Sequence, residues 1–303
     1  MIQKVNELNF TNKKIAMIIA GVPGVGKTTL ALSSPKPLLV DLDDGLDRVE
    51  APFRKDRIVC SDYDELVNDL SGDLSGYETI VIDTGGKLLN FLKPVVIKQD
   101  AKNGQRNGEL SLKGYGAIKK AFSNFVNFVK SKDKNLIMVF HASEVNLAND
   151  VIGLRIRMEG SSKDEVWDDM DLGGFVEMIG NKRHISFSNN DRFYAKGTHG
   201  ISGSFEIPTL GTGIENNFIT MLFKMYNDNL RLETEHYNAY LKLMEYKNTI
   251  NKIDGLKGLK TAFKDIQSFE HILSSKAELW FALTEKAKEL GFKYDKATND
   301  FIE

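Results

Sequence analysis

The chain has 303 residues, of which 42% are hydrophobic and 27% are charged, and its formal net charge is −2. This composition is typical of a protein with a large folded core, and the near balance of charges excludes a uniformly basic nucleic-acid coat. No apolar run approaches the ~20 residues of a membrane helix, the N-terminal residues lack the pattern of a secretory signal, and Cys60 is the only cysteine. We therefore expect a soluble protein of the cytoplasm, without disulfides or a cysteine-based metal site.

The first two thirds of the chain alternate short apolar runs with helical patterns, which is typical of an α/β fold with a mainly parallel sheet. Several runs are rich in Val and Ile, as expected for strands buried on both faces. Apolar residues recur at helical spacing in Ala117–Lys130, so we predict a helix there. The predicted strands are Ile15–Ala20, Pro37–Leu42, Arg57–Cys60, Thr79–Asp83 and Leu136–Phe140.

The pattern changes after residue 180. The segments His184–Phe187 and Arg192–Ala195 are predicted to form a hairpin. From about residue 216 the chain is predicted to be helical to its end, with Trp280 and Phe281 in a core-facing pattern. We therefore predict an α/β core at residues 1–227 and a helical region at residues 228–303. The predicted C-terminal helices are Leu230–Tyr246, Leu256–Phe263 and Phe269–Leu290.

A phosphate-binding motif follows the first predicted strand and precedes a predicted helix. Residues 21–28 read Gly-Val-Pro-Gly-Val-Gly-Lys-Thr and match GxxxxGK[ST] in full. In this motif the glycines let backbone N–H groups surround the phosphates, the lysine reaches the terminal phosphates, and the hydroxyl binds Mg²⁺. The predicted nucleotide-binding residues are Gly21, Val22, Pro23, Gly24, Val25, Gly26, Lys27, Thr28 and Thr29, and Lys27 is also a catalytic candidate.

Acidic residues follow two of the predicted strands, at the edge where open α/β sheets bind ligands. Asp83 ends the strand Thr79–Asp83, and we predict that it binds Mg²⁺ together with Thr28. The strand Pro37–Leu42 lies between the two motifs in the chain, which favours the ATPases with an additional strand over simple nucleotide kinases. Asp43 follows that strand, where a hydrolytic enzyme can place the carboxylate that orients water. A solvated acidic turn remains the alternative for this segment.

The order of these motifs resembles a known family. Residues 21–28, VDLDDGLD at 40–47 and IVIDTGG at 80–86 are similar to the core ATPase of the RecA superfamily, and above all to the phage nucleotide-binding proteins and Sak-type single-strand annealing ATPases. Shorter segments at 110–116, 141–144, 171–174, 182–187 and 191–196 resemble the same proteins. The resemblance implies a RecA-like P-loop ATPase that hydrolyses ATP with Mg²⁺ and acts on single-stranded DNA in phage recombination or annealing, in the host cytoplasm.

The resemblance also implies roles for three further residues. Asp43 stands where the family usually has the glutamate that activates water, and His141 would sense the γ-phosphate. Lys196 would act on the nucleotide of a neighbouring subunit, within a homo-oligomeric ring or filament. Because Asp is one methylene shorter than Glu, an ATP-binding oligomeric scaffold with little hydrolysis stays open. A structural histidine at 141 and a solvated hairpin lysine at 196 stay open as well.

A basic segment is the candidate for DNA binding. Between residues 93 and 134 there are ten Lys/Arg and three acids, and such local positive charge suits contact with a phosphate backbone. A solvated helix face with a loop is the alternative. The predicted contacts are Lys98, Lys102, Arg106 and Lys113, with Arg155 and Arg157 in a second loop.

Two other nucleotide-dependent functions were compared with an ATPase. Asn251–Asp254 matches the guanine-reading motif NKxD, but in GTPases this motif follows a buried strand, whereas the preceding residues here have a helical pattern. A nucleotide kinase would need an arginine-rich lid, and the basic loop near residues 98–106 is short and mostly lysine. The kinase therefore remains only as an alternative.

Overall fold

The computed structural model describes residues 12–146, 152–158, 166–211 and 213–303. These residues form two compact units, at 12–227 and 228–303. None of the helices within the described ranges combines the length and the apolar content needed to cross a membrane.

Strands and helices alternate through the first unit, as the sequence predicts. Its helices are α1 (Lys27–Ala31), α2 (Tyr63–Leu70), α3 (Gly85–Gln99) and α4 (Leu112–Lys130). Its strands are β1 (Ala16–Gly21), β2 (Pro37–Asp41), β3 (Arg57–Ile58), β4 (Thr79–Asp83), β5 (Asn135–Asn146), β6 (Ile152–Ile156), β7 (Leu172–Ile179), β8 (Lys182–Ser186) and β9 (Ser204–Ile207).

These strands form one sheet in the order β3-β2-β4-β5-β1-β7-β8-β9, with β6 paired to β5. The strands from β3 to β7 in this order are parallel, whereas β8, β9 and β6 are antiparallel to their neighbours. The mainly parallel sheet flanked by helices confirms the predicted fold class. The strand between β1 and β4 is β5, and β2 lies on the far side of β4.

The central strands are buried along their whole length, because helices cover both faces of a parallel sheet. Ile18 of β1, Ile82 of β4 and Met138 of β5 are all fully buried. In the register of the sheet, Gly21 lies beside His141, and Asp83 lies beside the neighbouring residue Val139. The carboxyl ends of β1, β4 and β5 therefore meet at one edge of the sheet.

Helix α4 confirms the predicted apolar stripe, and it begins five residues before the predicted start. Ile118, Phe122 and Val126 are buried on its inner face. The side chain of Ser111 accepts a hydrogen bond from the N–H of Gly114 and so caps the earlier first turn. Helix α3 was not predicted, and Pro94 lies inside it, where proline normally interrupts a helical pattern.

The predicted hairpin between His184–Phe187 and Arg192–Ala195 is wrong. Strand β8 pairs with β7 on one side and with β9 on the other, while residues 192–195 form no regular strand. The glycines of β7 conceal it from a pattern search, because glycine weakens a strand signal. Both are required by packing: a Cβ would lie 2.3 Å from the Trp167 ring at Gly173 and 2.4 Å from Ile185 at Gly174.

The second unit contains the helical region and ends in a small hairpin. Phe263, Trp280, Tyr294 and Phe301 contact one another in an aromatic cluster. Two expectations are wrong here: the chain does not stay helical to its end, and Phe281 is 66% exposed. The elements are α5 (Phe218–Asn251), which begins in the first unit, α6 (Leu256–Ser268), α7 (Ser275–Glu289), β10 (Lys293–Asp295) and β11 (Asp300–Ile302).

Candidate active site

A cleft of about 450 Å³ lies where β1, β4 and β5 end, and we call it the edge cleft. Its size is in the range of small-molecule sites. The cleft brings together residues from the phosphate motif, from both acidic strand ends and from the end of β5. Its lining residues are Pro23, Gly24, Gly26, Lys27, Thr28, Thr29, Asp43, Gly45, Arg48, Val49, Asp83, His141 and Arg157.

The phosphate motif forms the tight turn from β1 into α1. Gly24 and Gly26 have φ values of +81° and +87°, in the left-handed region that favours glycine. Gly21 is required for a different reason, because a Cβ there would lie 2.7 Å from the carbonyl oxygen of Val176 on the adjacent strand β7. The motif is therefore shaped by its own backbone and by the sheet beside it.

Lys27 is buried at the start of α1, and its Nζ donates a hydrogen bond to the carbonyl oxygen of Val22 at 2.8 Å. Burial lowers the pKa of Lys27 to about 8, Asp83 opposes this shift, and the positive charge of Arg157 adds to it. Within the described ranges Lys27 forms no ion pair. A buried ammonium without a carboxylate partner is suited to bind an anion that enters the cleft.

Thr28 and Asp83 lie together, as predicted for a magnesium site. The Thr28 hydroxyl donates to a carboxylate oxygen of Asp83 at 2.5 Å. Burial raises the pKa of Asp83, and the Thr28 hydrogen bond and the charge of Lys27 oppose that shift. Mg²⁺ prefers oxygen ligands and commonly takes one or two from protein, with water and phosphate supplying the others. The hydroxyl and carboxylate therefore fit Mg²⁺, and their binding role stays a prediction.

The acids after β2 have separate surroundings. Asp41 is buried and accepts hydrogen bonds from the backbone N–H groups of Gly45 and Leu46, which holds the turn. Asp44 has a positive φ of 45° and an exposed side chain that pairs with Arg57 at 2.9 Å. Of the acids in this turn, only Asp43 lines the edge cleft.

Asp43 is surrounded by cationic and polar groups. Its carboxylate lies 3.2 Å from the guanidinium of Arg48, 3.6 Å from Nζ of Lys87 and 4.0 Å from Nε2 of His141. Gly45 makes the Arg48 contact feasible, since a Cβ there would lie 2.3 Å from the Arg48 guanidinium. These neighbours hold an ionised carboxylate at the cleft, a suitable acceptor for a hydrogen bond from water.

His141 lies at the point where β5 passes the end of β1. Burial lowers the pKa of His141, the charge of Lys27 lowers it further, and Asp43 opposes the shift. A neutral imidazole follows from this balance. Its Nδ1 is buried and has no hydrogen-bond partner, whereas the ring lines the cleft. This position suits a group that senses a ligand, and the proposed γ-phosphate contact stays a prediction.

Two residues of the cleft were not predicted as nucleotide-site residues. Arg48 follows Asp43 by five positions, and no motif in the sequence marks it. Arg157 was predicted to contact DNA beside Arg155, but the structure places it in the edge cleft, immediately after β6. Arg155 lies outside this cleft, and its guanidinium donates to the carbonyl oxygens of Leu154 and Arg192. The two arginines therefore do not share one surface.

Lys196 does not line the edge cleft. Its backbone pairs with Gly173 of β7, and its Nζ donates to the carbonyl oxygen of Trp167 at 3.1 Å. A role on a neighbouring subunit's nucleotide would require this ammonium to leave Trp167. That role stays a prediction.

The fold and the edge cleft together define a P-loop ATPase of the RecA type. Residues 13–199 match the family model AAA_24, described as an AAA domain, and the chain belongs to that family. None of the curated proteins matches the chain.

Two solved structures have a similar arrangement at low identity. One is the ATPase domain of another protein, which is 11% identical with a TM-score of 0.40, and the match covers 64% of this chain and 80% of that one. The other is a KaiC-like protein, PH0186 from Pyrococcus horikoshii OT3, which is 10% identical with a TM-score of 0.32, and the match covers 64% of this chain and 90% of that one.

Proposed function

We propose that this protein hydrolyses ATP with Mg²⁺ and acts on single-stranded DNA in phage recombination or annealing, as a homo-oligomer. The observation that carries the hydrolytic part is the edge cleft, where Lys27, the Thr28–Asp83 pair, Asp43 and His141 converge. The DNA part is supported by a separate basic surface and by the sequence resemblance.

In this proposal each side chain has one task. Lys27 leaves the carbonyl of Val22 and binds the terminal phosphates, while Asp43 accepts a hydrogen bond from the attacking water and orients it. His141 donates a hydrogen bond to the γ-phosphate. Thr28 and Asp83 hold Mg²⁺, which neutralises phosphate charge when it is bound.

The direct test is phosphate release by the full chain, with and without single-stranded DNA, across a salt series. We expect ATP hydrolysis that DNA stimulates at low salt and that loses this stimulation as salt rises. Tight ATP binding without hydrolysis would favour the scaffold, and phosphate transfer to an acceptor nucleotide would favour the kinase. The guanine-reading alternative has no structural support, because Asn251 ends helix α5 rather than following a strand.

The basic surface consists of Lys98, Lys102, Arg106 and Lys113, which are all exposed. Lys98 lies in the last turn of α3, and Lys113 lies in the first turn of α4. The loop between the helices is internally hydrogen-bonded, with a bridge between Gly104 and Leu110. One cation is partly neutralised, since Lys113 pairs with Asp100 at 2.6 Å.

Reversing Lys102 and Arg106 to Glu should weaken binding of single-stranded DNA and flatten its salt dependence. Each phosphate contact that is lost should lower the slope of log affinity against log salt by about 0.7. The measurement is a DNA titration at several salt concentrations. A matched control reverses Lys257 and Lys276, which are exposed in the second unit. Equal slopes for the two double variants would assign the basic surface to solvation alone.

Lys196→Ala should retain ATP affinity and lose most turnover if Lys196 acts on a neighbour. A head-to-tail contact of this kind builds rings or filaments. Mixing Lys196→Ala with Asp43→Asn should then restore activity, because about a quarter of the head-to-tail interfaces in an equal mixture carry both intact groups. Mass measurement with ATP should show assemblies larger than a dimer. A monomer with full ATPase activity would reject the shared site.

A further inference from the structure

Arg157 is held in the edge cleft by its backbone on two sides. It follows β6 directly, next to the pair formed by Ile156 and Ala142, and its N–H donates to the carbonyl oxygen of His141 at 2.6 Å. On the other side, its carbonyl oxygen lies only 3.0 Å from where a Cβ would stand at Gly86, in the first turn of α3. The position is therefore built from β5, β6 and α3 together.

The guanidinium of Arg157 has no counter-ion. No ion pair or side-chain hydrogen bond joins it to any part of the chain that the structure describes. The carboxylates of the edge cleft are engaged elsewhere: Asp83 with the Thr28 hydroxyl, and Asp43 with Arg48 and Lys87.

Arg157 also lies close enough to Lys27 and His141 for its charge to lower the pKa of each. Two cations that repel each other across a cleft, one buried and neither paired with a carboxylate, indicate a site for a multiply charged anion. A guanidinium presents a planar fork of donors, which matches two phosphate oxygens at once.

We propose that Arg157 binds the terminal phosphate of the nucleotide bound to its own chain and stabilises the charge that develops there during hydrolysis. This inference rests on the proposed ATPase function. It assigns to the same chain a cation that the sequence resemblance assigns only to Lys196 of a neighbour. It also takes Arg157 out of the predicted DNA surface.

The test compares Arg157→Ala and Arg157→Lys with the control Arg192→Ala, which removes an exposed arginine paired with Glu177 outside the cleft. Affinities are measured for ADP and for a non-hydrolysable ATP analogue. Arg157→Ala should lose about ten- to a hundredfold in affinity for the analogue and little for ADP, because only the analogue carries the terminal phosphate. Turnover should fall by roughly 10²- to 10³-fold, the scale for a lost donor to developing charge. Arg157→Lys should recover part of both, and Arg192→Ala should match the parent.

Mixing experiments separate a role within the chain from a role across subunits. Arg157→Ala mixed with Asp43→Asn should show no recovery, because every site then lacks one of two groups from the same chain. Recovery would overturn the proposal, as would equal losses of affinity for ADP and the ATP analogue. A loss of single-stranded DNA binding with unchanged nucleotide affinity would overturn it too and would return Arg157 to the DNA surface.

The two proposals can fail separately. If the parent binds the analogue but does not hydrolyse ATP, the hydrolytic function fails, and the ratio of analogue to ADP affinity still decides whether Arg157 meets the terminal phosphate. A parent that binds neither nucleotide would overturn both.

Discussion

Lys27→Ala should abolish ATP binding and leave the fold intact. The ammonium is the buried cation of the phosphate motif, and its one hydrogen bond is to the carbonyl oxygen of Val22. Burial disfavours its charged form, as the lowered pKa of about 8 indicates, so the substitution removes a poorly solvated charge rather than a stabilising contact. In the absence of nucleotide, we expect the free energy of unfolding to stay close to that of the parent.

Thermal unfolding with and without ATP measures both parts of this expectation. A bound ligand at a hundredfold excess over its Kd stabilises a protein by about 2.7 kcal/mol, so the parent should shift and Lys27→Ala should not. Lys182→Ala is the control, because it removes an exposed lysine that pairs with Glu206, and it should shift as the parent does. Retained tight ATP binding by Lys27→Ala would contradict the assignment of the phosphate site.

Asp43→Asn should keep ATP affinity and lower turnover by roughly 10²-fold or more, the usual scale for loss of a general base. Asparagine keeps the shape of the side chain but loses the negative charge that faces Arg48, Lys87 and His141. Removing this charge does not oppose a bound polyphosphate, so binding should survive. Asp43→Glu keeps a carboxylate and should retain turnover.

Asp44→Asn is a closely matched control for Asp43→Asn. Asp44 adjoins Asp43, its side chain is 84% exposed and faces Arg57, and asparagine tolerates its positive φ of 45°. Single-turnover phosphate release with saturating ATP separates chemistry from binding. Unchanged turnover in Asp43→Asn would show that another group orients the water.

Much of the first unit could be predicted from local patterns. The runs around Ile18, Ile82 and Met138 are continuous because both faces of a parallel sheet are covered, and the glycines at 24 and 26 report a backbone turn that needs a positive φ. The stripe of α4 could be predicted for the same reason, since it repeats at 3.6 residues over one helix. In each case neighbouring residues carry the signal.

Other features depend on packing partners far away in the chain. The glycines of β7 make sense only beside Trp167 and Ile185, and the strand therefore escaped prediction. The same holds for Pro94 within α3 and for the exposed Phe281, which shares its pattern with the cluster residue Trp280. Propensity is a weak guide where tertiary contacts decide the outcome.

The linear sequence was sufficient for the phosphate motif and for the acids that follow β2 and β4, because strand ends in a parallel sheet meet at one edge whatever the connections are. It could not separate Asp43 from Asp41 and Asp44, since that distinction depends on which carboxylate the turn and Arg57 engage. Nor could it place Arg157, which is 130 residues from Lys27 in number and reaches the same cleft only through the antiparallel pairing of β6 with β5. Local chemistry is written in neighbouring residues, whereas the meeting of distant charges is decided by strand order and register.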